Sequence, residues 1–164
     1  MNPEQAKAIG DFLVADFENE MQTTLRVLAA VPADHLDYTP DAKSATALGL
    51  LRHIPLVDAW LLNSIANGAF TAPPDGASIA GILTPEDAIA HYKQVVPAAL
   101  DRIRSLSGEQ LAAIIDFFGY MQVPAVNLVQ LAIKHSVHHR GQLSAYLRSM
   151  GGKVPGIYGS SADK

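Results

Sequence analysis

The chain contains no cysteine. Disulfides and protein thiolates are therefore excluded, and any thiol chemistry must bring its thiol from outside. Basic residues are scarce: Lys and Arg total 12 in 164 residues, and the net charge is -4. No basic stripe is present, so nucleic acid is not an expected partner. No apolar run approaches the roughly 20 residues that a membrane-spanning helix needs. The first ten residues are polar and carry both charge signs, unlike a signal peptide. A soluble, cytoplasmic protein is the expectation, with no membrane partner.

Several catalytic signatures are missing too. There is no Walker-type phosphate loop and no Gly-x-Ser-x-Gly elbow. No Glu is followed three residues later by His, as a di-iron bundle would require. His135 is followed by Ser136, so the carboxylate of the His-Glu-x-x-His motif is absent.

What is present is helical periodicity. At 49% hydrophobic and 17% charged residues, the composition is that of a globular chain able to bury a core. The length suits one domain, taken as residues 1–164. No segment alternates convincingly as a strand. The first helix opens at Asn2-Pro3 and carries a stripe of Ile9, Leu13, Phe17, Met21, Leu25 and Leu28. It should stop near Val31, before Pro32. The second runs from about Ser44 or Thr46 to Asn67 and should kink at Pro55. The third starts at Thr84-Pro85-Glu86-Asp87, with a second kink implied at Pro97. The fourth runs from Pro124 to Met150 and ends at Gly151-Gly152. Residues 107–123 read as loop, with a short helical turn at Glu109 to Ile115. The fold class expected is all-α: a four-helix bundle with a long crossover, residues 68–83, between helices 2 and 3.

Six histidines are present. His135 and His139 stand four apart, on one face of a helix and one turn apart. Two imidazoles at that spacing can share a metal. Leu128, Leu131, Ala132, Gln142 and Tyr146 place this pair on the inner face, with His138 toward the flank. His138 could instead pair with His135. A third ligand must come from another helix, and His53 borders the apolar stripe of helix 2. A lone histidine in such a position is more often a boundary residue than a ligand. His35 and His91 read as surface or secondary positions. Gln142 can orient His139. Asp58 and Asp116 could act as a base or behind a ligand, though a solvated or capping acid is the commoner case. Arg140 could meet an anionic substrate or serve as a structural ion-pair residue.

The stretch His135-Ser136-Val137-His138-His139-Arg140-Gly141-Gln142-Leu143 resembles the signature of the DinB-like superfamily, a histidine, three residues, then His-Arg-Gly-Gln. Tyr38-Thr39-Pro40, Lys43-Ser44 and Leu48 to His53 resemble that family's approach to its second helix. The ending Gly151 to Gly159 is also similar, so the likeness covers nearly the whole chain. The resemblance implies a four-helix bundle that holds one divalent metal with His53, His135 and His139. Zinc or nickel suits three nitrogen ligands. It also implies a homodimer. Three neutral imidazoles leave a coordination position open, as in a catalytic site. The function expected is transfer of a low-molecular-weight thiol to an electrophilic small-molecule substrate. The alternatives are a metal-dependent hydrolase, or a non-catalytic, stress-associated metal-binding dimer.

Overall fold

Three of the four long helices begin where a short polar side chain satisfies a free amide. In the computed structural model, which describes residues 1–163, Asn2 accepts from the Glu4 amide and starts α1 (Pro3–Ala29). Thr46 accepts from the Gly49 amide and starts α2 (Ala47–Asn67). Thr84 and Asp87 form a reciprocal capping box at α3 (Pro85–Arg104). Ser107 and Gln110 do the same for the short α4 (Gly108–Ala112). The last helix is α5 (Ala125–Leu147), followed by a 3₁₀ turn, Arg148–Met150. Gly68 and Gly151 end α2 and that turn at φ 74° and 78°, where a side chain would be strained. α2 and α3 run through Pro55 and Pro97 without interruption.

Most of the chain is helical, as expected. The exception lies in the stretch read as loop. β1 (Ile114–Phe117) and β2 (Met121–Pro124) pair antiparallel, Ile114 opposite Pro124 and Phe117 opposite Met121. Four-residue strands are too short to establish a period of two. The expected helical turn at Glu109 to Ile115 is real only as far as Ala112.

α2 packs on α3 and α5, and α1 on α3, α4 and α5. One apolar core runs between them, with Phe17, Leu28, Leu51, Ile54, Leu62, Tyr92 and Leu100 fully enclosed. Each buried Leu or Ile contributes about 1.5–3 kcal/mol. α5 is rotated relative to the sequence expectation. Its deepest row is Val129, Ala132, Ser136, Arg140, Leu143 and Leu147, while Leu131, His135, His139 and Gln142 are only half-buried. The histidine pair therefore sits at the rim of the core.

Arg140 is fully enclosed and does not meet solvent. Its Nη1 donates to Glu20 Oε2 at 2.5 Å and to the Glu20 carbonyl at 3.2 Å. Its Nη2 donates to the Tyr158 hydroxyl at 2.6 Å, which in turn donates to the Glu20 carboxylate. One guanidinium thus fastens α5, α1 and the C-terminal segment together. Arg140→Ala would leave the Glu20 carboxylate, itself mostly buried, without its cation. Urea denaturation should show a loss of about 3 kcal/mol. Arg140→Lys should recover only part of it, since an ammonium cannot reproduce the two-armed contact.

Candidate metal centre

The three expected histidines converge. His53 comes from the first half of α2; His135 and His139 come from successive turns of α5. His53 Nε2 lies 3.0 Å from His135 Nε2 and 3.1 Å from His139 Nε2. The three ligand atoms all lie within 4.8 Å of one another, a grouping that could hold a metal ion.

Protons decide what this cluster can do. Asp58 Oδ1 lies 2.8 Å from His135 Nδ1, and a carboxylate can only accept, so Nδ1 carries the hydrogen. His139 Nδ1 donates to Gln142 Oε1 at 3.1 Å. Gln142 Nε2 donates to the Tyr146 hydroxyl, which donates to the Ala45 carbonyl. Tyr38 packs edge-on against Tyr146, 5.4 Å between ring centres. With both Nδ1 protons committed, the Nε2 atoms of His135 and His139 present lone pairs to His53. A single His53 Nε2 proton can satisfy only one of these lone pairs, whereas a cation between the three nitrogens engages them all. A tetrahedral ion with bonds of 2.0–2.1 Å would set the nitrogens about 3.3 Å apart, close to the spacing found. The donor set therefore fits zinc or nickel.

The electrostatics agree. Burial holds His53 down to about 4, helped by the neighbouring charges of His139 and His135. Burial and His135 also lower His139. Both rings are thus neutral, as ligands must be, at neutral pH.

Asp58 is fully buried. Burial pushes its carboxyl up, while the hydrogen bond from His135 opposes the shift. The hydroxyls of Ser136 and Tyr92 also favour its charged form. Yet Asp58 Oδ2, Tyr92 Oη and Ser136 Oγ have no partner of good geometry among the described residues. The solvated-acid reading of Asp58 is therefore corrected: it backs His135 from inside the core. The signal was available, because Asp58 shares a helical row with Ile54, Leu61, Leu62 and Ile65, all buried. Tyr92 likewise shares a row with the buried Ala88, Val96 and Ala99, but nothing local ties it or Ser136 to Asp58.

The other candidates fall outside the cluster. Asp116 is exposed and accepts from the Gly119 amide in the hairpin turn. His138 is exposed on the flank, its ring edge-on to His139 at 4.8 Å. His35 is exposed and His91 lines a separate cavity of about 310 Å³.

Two outcomes follow from this geometry. Asp58→Asn should weaken zinc binding by about 10–100-fold in a competition titration against a chelating dye, because the tautomer of His135 is no longer enforced. The metal-free fold should also lose stability between pH 6.5 and 4. Over that range the unfolded chain protonates His53 while the folded state resists, and the loss levels off below about 4. Asp58, whose carboxyl is raised, acts in the opposite direction. Comparing urea midpoints with those of His53→Asn isolates the imidazole; a variant with an unchanged pH profile would remove His53 as the cause.

Residues 5–164 match the family described as the DinB family. The chain is 31% identical to YjoA of Bacillus subtilis over 143 residues, 85% of this chain and 89% of that protein. The crystal structure of YjoA, a DinB-like protein, superposes with a TM-score of 0.71 at 28% identity, covering 90% of this chain and 97% of that one. A DinB-like protein from Bacillus cereus gives 0.74 at 22% identity, over 89% and 95% of the two chains. The fold is also similar to that of the mycothiol-dependent maleylpyruvate isomerase, with a TM-score of 0.60 at 13% identity, over 87% of this chain and 61% of that one.

Proposed function

This chain belongs to the DinB family, and on that premise we propose that it is a metal-dependent enzyme that transfers a low-molecular-weight thiol to an electrophilic substrate. The observation that carries the proposal is the convergence of three imidazole Nε2 atoms, two of them with their protons fixed on Nδ1, in a chain without cysteine. A protein with no thiol of its own must take the nucleophile as a cosubstrate. The structurally similar isomerase, named for its dependence on mycothiol, supports that class of cosubstrate.

His53, His135 and His139 would hold the ion, zinc or nickel. A divalent ion held by three neutral nitrogens supplies Lewis acidity, lowering the pKa of a thiol that reaches its open side. The chain's own contribution is positional. Asp58 and Gln142 fix the two α5 rings. The core beneath them excludes water from one side, and the half-exposed outer side admits substrate. Asp58 supplies a buried negative charge behind His135 that partly offsets the ion.

The arrangement of the long helices α1, α2, α3 and α5, with residues 68–84 spanning from α2 to α3, supports a four-helix bundle with a crossover. A homodimer working in the cytoplasm completes the proposal. No helix among the described residues is long and apolar enough to cross a membrane.

The test loads the protein with zinc or nickel and offers bacillithiol, mycothiol, glutathione and cysteine with chlorodinitrobenzene. Sulfur displaces chloride from the ring, and the thiol proton passes to solvent. Metal-dependent conjugation with at least one thiol is expected, falling to the uncatalysed rate in His139→Ala. No conjugation with any thiol and either metal would overturn the proposal. Ester or amide cleavage without thiol would assign the site to hydrolysis instead.

A further inference from the structure

His53 shares its face of α2 with Val57 and Trp60, at i+4 and i+7, and all three are half-buried. Trp60 lies about 10 Å along the axis from His53. The pairs Ala45–Tyr146, His53–His139 and Asp58–His135 run in opposite directions along the two helices, so α2 and α5 are antiparallel. Leu131, one turn before His135 and also half-buried, therefore lies further along α2 than Val57, at the level just past Trp60. Half-buried apolar side chains thus continue from the three histidines along the seam between α2 and α5.

At its far end four rings gather from three parts of the chain. The Trp60 ring stacks on Phe118, 6.2 Å between centres and 21° between planes. Phe70, from the connection after α2, meets Trp60 edge-on at 5.5 Å and Phe117 at 4.8 Å. These are four of the chain's six Phe and Trp residues.

Phe118 is the informative one. Its φ is 53°, a left-handed conformation that disfavours bulky side chains and that Gly or Asn would adopt readily. Packing against Trp60, Phe70 and Phe117 covers only part of the ring, which remains 45% exposed. A backbone held in such a conformation beside a functional cluster points to a use for its side chain. The charge on α5 itself is one-sided, although the exposed Asp116 sits in the hairpin that carries Phe118. Residues 125–147 include no Asp or Glu, while Lys134 and His138 are exposed next to the two α5 ligands.

We propose that this seam is the subsite for the body of the electrophile: an aryl or similarly flat apolar group seated on Trp60 and Phe118, with its electron-poor reacting centre at the histidines. Calling the occupant an electrophile rests on the thiol-transfer reading; the preference for an aryl group does not.

Two hydroxamates with the same metal-binding head separate the possibilities. Zinc-loaded protein is titrated calorimetrically with 4-phenylbenzohydroxamate, whose outer ring reaches about 10 Å from the ion as Trp60 requires, and with acetohydroxamate. The aryl compound should bind about tenfold more tightly and quench the fluorescence of Trp60, the sole tryptophan. Phe118→Gly suits the left-handed backbone, so the fold and its thermal midpoint should be kept while the ring is lost. In that variant the preference should shrink to about twofold, with acetohydroxamate binding unchanged. Equal affinities in the parent protein would overturn the subsite. So would a preference that survives Phe118→Gly, including the case where that variant turns a dimer into a monomer and the ring is assigned to a contact between copies. Failure of either hydroxamate to bind would overturn both the subsite and the metal site. If thiol conjugation fails while the aryl preference holds, the subsite stands and the transferase reading falls.

Discussion

Three imidazole nitrogens converge, with His53 Nε2 3.0 and 3.1 Å from the other two, and one shared proton can satisfy only one of those contacts where a cation engages all three nitrogens. The rest of the structure serves to keep them there. His135 and His139 cannot turn away, because each Nδ1 hydrogen is held by an acceptor that is itself held. Asp58 is locked within the core of α2, and Gln142 is locked through Tyr146 to the backbone at Ala45. The two holders differ in kind. Both set a tautomer and an orientation, but only the buried carboxylate adds charge.

Within the His-Arg-Gly-Gln motif, neighbouring residues on one helix turn do unrelated work. His139 faces the rim and Gln142 steadies it, while Arg140 points into the protein, where it bonds Glu20 and Tyr158. Gly141 is exposed, and a Cβ there would meet nothing; the structure offers no packing reason for a glycine at this position. A helix has a side for each duty because successive residues are about 100° apart. The ion pair fixes the rotation of α5, and the rotation of α5 decides that the histidines reach the rim.

Local signals were the legible ones. Asn2, Thr46, Thr84 and Gly151 marked helix ends because a cap is an interaction between residues two to five apart. The His135/His139 pair was legible for the same reason. His53 was not, since its partners are 82 and 86 residues away, and only resemblance to a family connected them. The hairpin escaped because its strands are four residues long and its turn carries Phe118 where Gly or Asn would announce one. Asp58 was misread because an isolated acid is usually solvated, and its burial depends on which side of α2 faces α5. The rotation of α5 was off by about one row because histidine counts as inward by pattern, whereas the buried cation at Arg140 claims the deeper position.

The separation in sequence that hid His53 has a consequence for chain topology. Without disulfides, nothing covalent closes any loop in this protein. An ion shared by α2 and α5 would close one of more than 80 residues, acting as a removable staple. Because only the folded chain brings those nitrogens together, occupancy would be written into the melting temperature. Each tenfold rise in free metal above the dissociation constant adds about 1.4 kcal/mol to the folded state. The same ion that activates a substrate would then govern how long the chain survives unfolding and proteolysis in a metal-poor cell.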